Sequence, residues 1–403
     1  MTTTLPSRTE ERAQTPGQWA VRWHVLVFAA AITLWVPACH LLWHLVLGHG
    51  EPVFRTRSYV PAPAASIANV LDGTWMTAME RYLREASPVT YWLRGTWNEM
   101  LFRLGVPQSR EVHFGRDGWL FSAANMRRDP AQLRARRAKR LSMLRAVAAR
   151  VEGAGLRLFV MVVPDKERVY ADLAFEGSEM PESMRPLYGE LLADLGEVGI
   201  ATVDLQSVLV QARAAQDAPV YKPRDSHWEP IGALAAAGAV AAAITAAGLD
   251  RTLAARQDVV LGAQHEVSVL GDLVGSAGFL AIDVPGPPPR CLPASALTFG
   301  LLEPYRSYQV LRNGPDGLRE LPASDRDAEV VLAGTSFSKS SGGAALRLAL
   351  RRSVHAIERD GATGLPSIAA ALDELSSLPK AKLLVWEIVE RGFFEPGWED
   401  PRL

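Results

Sequence analysis

Cysteine is almost absent from this chain of 403 residues, which has only Cys39 and Cys291. Cys39 falls inside an apolar run. That leaves Cys291 alone in the polar remainder, so an internal disulfide there is excluded and no zinc-type pair spacing exists. A core as large as this length permits makes bridges dispensable even in an exported domain. An excess of one charge is missing too: 44 acids and 43 bases leave a net charge of −1, without the basic footprint of a nucleic-acid binder. No internal repeat is visible, and nothing beyond the N-terminal tail has the composition of a disordered segment. Histidine is scarce outside the N-terminal region, limited to His113, His227, His265 and His355.

The run from Val25 to Leu47 is mostly apolar and long enough to cross a bilayer. Pro37, His40 and His44 interrupt it; Trp19 and Trp23 mark one end and Trp43 the other, as at a membrane interface. Arg8, Arg12 and Arg22 precede it, against Arg55 and Arg57 after it, which favours a cytoplasmic N-terminus. The expectation is an uncleaved transmembrane helix. A cleaved signal, with Val36-Pro37-Ala38-Cys39 near the cut, and a buried soluble helix are the alternatives. The chain then divides into a cytoplasmic tail (1–24), an anchor (25–47), a Pro-containing linker with lead-in helices (48–111) and a folded domain (112–403).

Within that domain, apolar runs alternate with helical periodicity. Leu156–Val163, Ala201–Leu205, Glu329–Ala333, Val354–Ile357 and Lys382–Trp386 read as strands. Gln132–Val151, Ser183–Glu197, Ile231–Ala247, Gly343–Arg352 and Pro366–Leu375 read as helices. Near-continuous apolar strands separated by helices predict an α/β domain with a mainly parallel sheet flanked by helices. Residues 250–325 break the rhythm and read as an insertion of short strand-like pieces.

Two segments carry chemistry. Asp225-Ser226-His227-Trp228 supplies an acid two residues before a base, just ahead of Pro230 and a helix. Gly334-Thr335-Ser336-Phe337-Ser338 follows an apolar strand, where a hydroxyl can be exposed beside backbone N–H groups. Acid, base and hydroxyl nucleophile are the parts of acyl-transfer chemistry. Plainer readings exist for each: Asp225 or Ser226 as a helix cap, and a Ser/Thr-rich loop that caps the next helix. Asp225, His227 and Glu229 could also ligate a metal, although nothing else completes such a site. His355 and His265 read as structural or solvated.

With Gly115-Arg116-Asp117-Gly118-Trp119-Leu120-Phe121, Val163-Pro164-Asp165-Lys166 with Tyr170, and Val385 to Arg391, these segments occur in a recognisable order. From about Val112 to Phe394 the chain resembles the alginate O-acetyltransferase family of the AlgJ/AlgX type. That resemblance implies an SGNH-hydrolase-like domain in which the Asp/His block precedes the serine block, a permuted order. It implies Ser336 as nucleophile, His227 as general base and Asp225 as its orienting acid, with no cofactor and no metal. Thr335, Ser338, Trp228, Arg224 and Arg391 are candidates for substrate contact; Arg224 stands where the family commonly has threonine. Gly115–Phe121 and Lys166 read as a turn and a solvated loop lysine. The implied activity is O-acetylation of an exported polysaccharide, on the periplasmic side of the inner membrane, with a polytopic membrane acyltransferase as acetyl donor. A carbohydrate acetyl esterase and a non-catalytic binding or assembly subunit are the rival functions.

Overall fold

The computed structural model describes residues 66–85, 97–106, 109–277, 281–284, 290–293, 302–361 and 363–398. The expected anchor, 25–47, lies outside them; among the described residues no helix is long and apolar enough to cross a membrane. The chain divides into two units, Met1–Gly95 and Thr96–Leu403. In the first, α1 (Ile67–Leu71) opens with a capping box between Ser66 and Asn69, and α2 (Thr74–Glu85) follows. The second unit starts ahead of the predicted Val112. Residues 97–103 are helical, Glu99 and Leu101 are buried, and Asn98 Nδ2 donates to the Ala277 carbonyl at 3.0 Å.

The antiparallel pair β1 (Val112–Phe114) and β2 (Leu120–Ser122) leads into α3 (Pro130–Ala135) and α4 (Arg137–Gly153). Strand β3 (Arg157–Val163) and helices α5 (Leu187–Glu197), α6 (Leu205–Ala215) and α7 (Pro230–Ala246) follow. The insertion holds β4 (Val259–Leu270), α8 (Asp272–Ser276), the hairpin β5 (Ala281–Val284) and β6 (Arg290–Pro293), then β7 (Leu302–Gly314) and β8 (Gly317–Glu320). The chain then returns to β9 (Val330–Gly334), α9 (Gly343–Leu350), β10 (Val354–Glu358), α10 (Leu365–Glu374) and β11 (Leu383–Val389).

The main sheet has the order β10-β9-β11-β3, and every pairing in it is parallel. Its residues alternate between two cores because a strand's side chains alternate in direction. Leu384, Trp386 and Ile388 join Val160, Val162 and Val331 beneath α4, α5 and α10. Leu383, Val385, Val389, Phe159 and Leu332 face α6, α7 and α9. With both faces covered, the strands can be apolar throughout, as the sequence pattern indicates.

The predicted strand Ala201–Leu205 is corrected to a single bridge, Phe159 with Ala201. Residues 202–204 are irregular and only Leu205 joins α6, because the Asp204 side chain accepts from the Ser207 N–H at 3.1 Å and starts the helix there. The insertion is also more ordered than expected. Its strands β4, β7 and β8 form an antiparallel sheet, with a bulge between Leu261 and Gln264.

Leu332 is fully buried in the β9 strand between β10 and β11. Leu332→Ala is expected to lower unfolding free energy by ~2–5 kcal/mol. Urea titration measures this; a cost below ~1 kcal/mol would mean the strand is not tightly packed.

Candidate active site

The serine segment is held from beneath by a carboxylate. Glu387 on β11 is fully buried, accepting the Thr335 N–H at 2.8 Å and the Thr335 hydroxyl on Oε1, and the Ser338 hydroxyl at 2.8 Å on Oε2. The Thr335 Oγ1 in turn accepts the Phe337 N–H at 3.2 Å. Burial raises the Glu387 pKa, and the Thr335 and Ser338 hydrogen bonds oppose that rise. Gly334 is required at the turn: a Cβ there would lie 2.5 Å from Ser338 Oγ. The chain then passes through a π-helical turn, Ser338–Gly342, before α9, a local distortion common at functional sites.

The acid and base stand on a second loop. Tyr221 pairs with Trp228 across its base, the Lys222 N–H donates to the His227 carbonyl at 3.1 Å, and Pro230 starts α7. Gly232 allows the helix to touch the loop, since a Cβ there would meet the Val220 carbonyl oxygen at 2.2 Å. At the tip, Asp225 Oδ1 accepts the His227 N–H at 2.8 Å and lies 2.7 Å from His227 Nδ1. His227 Nε2 lies 2.8 Å from Ser336 Oγ. Sequence positions 109 apart thus meet in one hydrogen-bonded chain, Asp225–His227–Ser336. Burial alone pushes the Asp225 carboxyl up. The interaction with His227, its hydrogen bonds and nearby Lys222 outweigh burial and hold Asp225 well below the usual carboxylate range. An ionised acid at Nδ1 keeps the other imidazole nitrogen available to accept the serine proton.

Trp228 joins the two loops: its Nε1–H donates to the Phe337 carbonyl at 3.1 Å, and its ring meets the Phe337 ring edge-on. The Phe337 ring also lies against the His227 ring, centroids 4.6 Å apart.

Five further residues were candidates for substrate contact, and the expectation is corrected for three. Thr335, Ser338 and Trp228 are buried and spend their polar atoms on Glu387 and Phe337, so they shape the loops and have no face to offer a substrate. Arg391 remains partly open, its guanidinium 5.5 Å above the Phe337 ring and 3.7 Å from Asp165. Arg224 is half-buried, and its N–H donates to Glu303 on β7 at 2.7 Å. The metal alternative loses its third ligand: Glu229 lies beside Arg306 at 3.8 Å, and Asp272 is the carboxylate near Asp225 and His227.

Lys166 is corrected as well. It is buried, and its Nζ donates to the carbonyls of Leu120 and Pro223 at 2.7 Å each and of Asp225 at 3.1 Å. Burial lowers its pKa to about 8, with Glu303 the largest opposing charge. The neighbouring motif residues serve the same loop. The Tyr221 hydroxyl donates to the Pro164 carbonyl at 2.6 Å, and Tyr170 Oη accepts the Val220 N–H at 2.9 Å.

Residues 112–390 match the family model described as the SGNH hydrolase-like domain of the acetyltransferase AlgX. The chain belongs to this family. It is similar to the probable alginate O-acetylase AlgJ of Pseudomonas putida, 27% identical over 345 residues, 82% of this chain and 84% of that one. The probable alginate O-acetylase AlgJ of Pseudomonas syringae pv. tomato is 26% identical over 378 residues, 88% of each chain. Among solved structures, the O-acetyltransferase domain of Pseudomonas putida AlgJ superposes with a TM-score of 0.56 at 24% identity. That likeness covers 71% of this chain and 93% of the other. AlgX of Pseudomonas aeruginosa gives 0.54 at 17% identity, over 72% of this chain and 64% of AlgX. These two likenesses establish the SGNH-like α/β fold.

Within this SGNH-like domain, Glu387, Lys166, Glu303 and Asp272 bond the two loops of the candidate site, and sequence reasoning missed them. Glu387 and Lys166 sit inside family motifs, but nothing in their local sequence tells a buried, bonded group from a solvated one. A related carboxyl, Glu358 at the end of β10, is pushed up to about 7 by burial and then by the neighbouring Glu387 charge, against Arg347 and Lys339. The folded state therefore keeps a proton that the unfolded chain releases near 4.5, so this group's contribution to stability falls as pH rises from about 4.5 to about 7. Glu358→Gln removes that loss. Its melting temperature relative to the natural protein is expected to be higher at pH 8 than at pH 5; an equal difference at both pH values would refute this account.

Proposed function

We propose that this chain is a polysaccharide O-acetyltransferase working through an acetyl-Ser336 intermediate. The observation that carries the reading is the hydrogen-bonded chain from Asp225 Oδ1 through His227 to Ser336 Oγ, at 2.7 and 2.8 Å. His227 Nε2 takes the Ser336 hydroxyl proton as Oγ attacks the acetyl carbonyl carbon. The tetrahedral oxyanion collapses, the donor's leaving oxygen takes the proton from His227, and the acetyl group stays on Ser336. A sugar hydroxyl then gives its proton to the same nitrogen and attacks the ester. Collapse passes the acetyl to the sugar and returns the proton to Ser336. Asp225, ionised, steadies the imidazolium in both halves.

We assign the oxyanion to the Ser336 backbone N–H, which opens the helical segment after β9 and so precedes any intrahelical acceptor. One such donor contributes ~3 kcal/mol in comparable sites. Arg391 and Arg224 are assigned to the acceptor. Arg391 stacks over Phe337, the residue next to the nucleophile, and a guanidinium matches the carboxylate of a uronic acid. The relatives' name, alginate O-acetylase, supports an alginate-like acceptor. The apolar run 25–47 supports a single-pass anchor in the inner membrane with this domain in the periplasm, near a polytopic membrane acyltransferase that supplies the acetyl group.

Ser336→Ala is expected to cut acetyl transfer from 4-nitrophenyl acetate to an oligouronide by roughly a thousandfold or more, without loss of fold. The same change in the host should remove acetyl groups from its polysaccharide. Transfer at the natural rate by the folded variant would sink the proposal. Release of acetate with none on the oligouronide would make the chain an esterase.

A further inference from the structure

The family motifs end the acid–base half of the site at Trp228, but the structure closes it with residues of the insertion. The turn from β4 into α8 lies directly against the loop. Gly271 lies so close that a Cβ would be 2.2 Å from the Arg224 carbonyl oxygen and 3.0 Å from the Asp225 nitrogen. Asp272 then exchanges bonds with the loop in both directions. Its N–H donates to Asp225 Oδ2 at 3.1 Å. Its carboxylate accepts the Ser226 N–H at 2.6 Å and the Ser226 hydroxyl at 2.5 Å. Its Oδ2 also lies 3.6 Å from His227 Nδ1. Farther along the insertion, Glu303 Oε1 accepts the Arg224 N–H at 2.7 Å.

These contacts divide the work on Asp225. One of its oxygens faces the imidazole and the other is held by the insertion, so its carboxylate plane cannot rotate without breaking a bond on each side. Ser226 enters the same scheme, because its hydroxyl is what the Asp272 carboxylate holds.

We infer that Asp272 is a positioning residue of the active site, locking the Asp225 carboxylate and the Ser226 backbone so that the imidazole stays aligned on Ser336. The inference rests on the proposed function. It makes the insertion a working part of the acyl-transfer site, with residues 224–226 gripped between Lys166 on the sheet side and Asp272 and Glu303 on the other.

The test uses the full chain and 4-nitrophenyl acetate, with Ser336→Ala as control. Asp272→Ala is expected to lower kcat roughly 10- to 100-fold at unchanged KM, the scale of a small misplacement of a catalytic group. Asp272→Asn keeps an amide oxygen for the Ser226 N–H and should recover part of that loss. Because Asp272 acts through Asp225, Asp272→Ala should cost less than about threefold when added to Asp225→Asn. Natural kcat in Asp272→Ala, or an equal loss on both backgrounds, would overturn the inference while leaving the triad intact. If Asp272→Ala fails to fold, Asp272→Asn and Ser226→Ala decide: both at natural kcat would also overturn it. Activity surviving in Ser336→Ala would instead bring down the proposed function itself.

Discussion

The site depends on a carboxylate that never meets solvent. Glu387 sits at the carboxyl end of the central strand β11, sealed under the serine loop, and fixes both Thr335 and Ser338 around Ser336. A buried acid is costly unless its lone pairs are filled, and here the loop itself fills them. The loop is therefore not free to choose another conformation. Any shift of Ser336 would leave a sealed carboxylate without its donors, which is a much stiffer constraint than side-chain packing alone.

His227 is constrained by a different device. Its loop is held by groups from β2, the segment after β3, the insertion and the serine loop: buried Leu120, Lys166 and Glu303, exposed Asp272, and Phe337 through Trp228. Each contact is a hydrogen bond to the backbone or to Asp225, or a ring contact, so positioning comes from many small terms that together exclude rotation of the imidazole. The two halves are then joined at Trp228 and Phe337, and His227 Nε2 lies 2.8 Å from Ser336 Oγ.

Much of this was legible in the amino-acid pattern, for physical reasons. Strands β3, β9, β10 and β11 are buried on both faces and so read as continuous apolar runs. Asp225, His227 and Ser336 stand out because polar residues of reactive type follow strands or precede helices. Ala201–Leu205 misled because a short run of mixed apolar character suits a strand, whereas only Ala201 bridges β3 and the Asp204 cap starts a helix at Leu205. Lys166, Asp272, Glu303 and Glu387 gave no local signal. Their partners lie tens of residues away, brought near only by the sheet order, and a lysine reads as solvated until three carbonyls are seen around it.

The sheet order has a further consequence, for how the domain comes into being. β11 is the last strand among the described residues, yet it lies between β9 and β3, which are not paired with each other. Until it arrives, β3 has no partner strand in the main sheet, and Glu387 is not there to organise the serine loop. Assembly is thus dominated by contacts remote in sequence, the kind that fold slowly and all at once. A chain synthesised only as far as residue 382 holds Asp225, His227 and Ser336 but lacks the strand whose Glu387 sets the serine loop, and the site is complete only once β11 is in place.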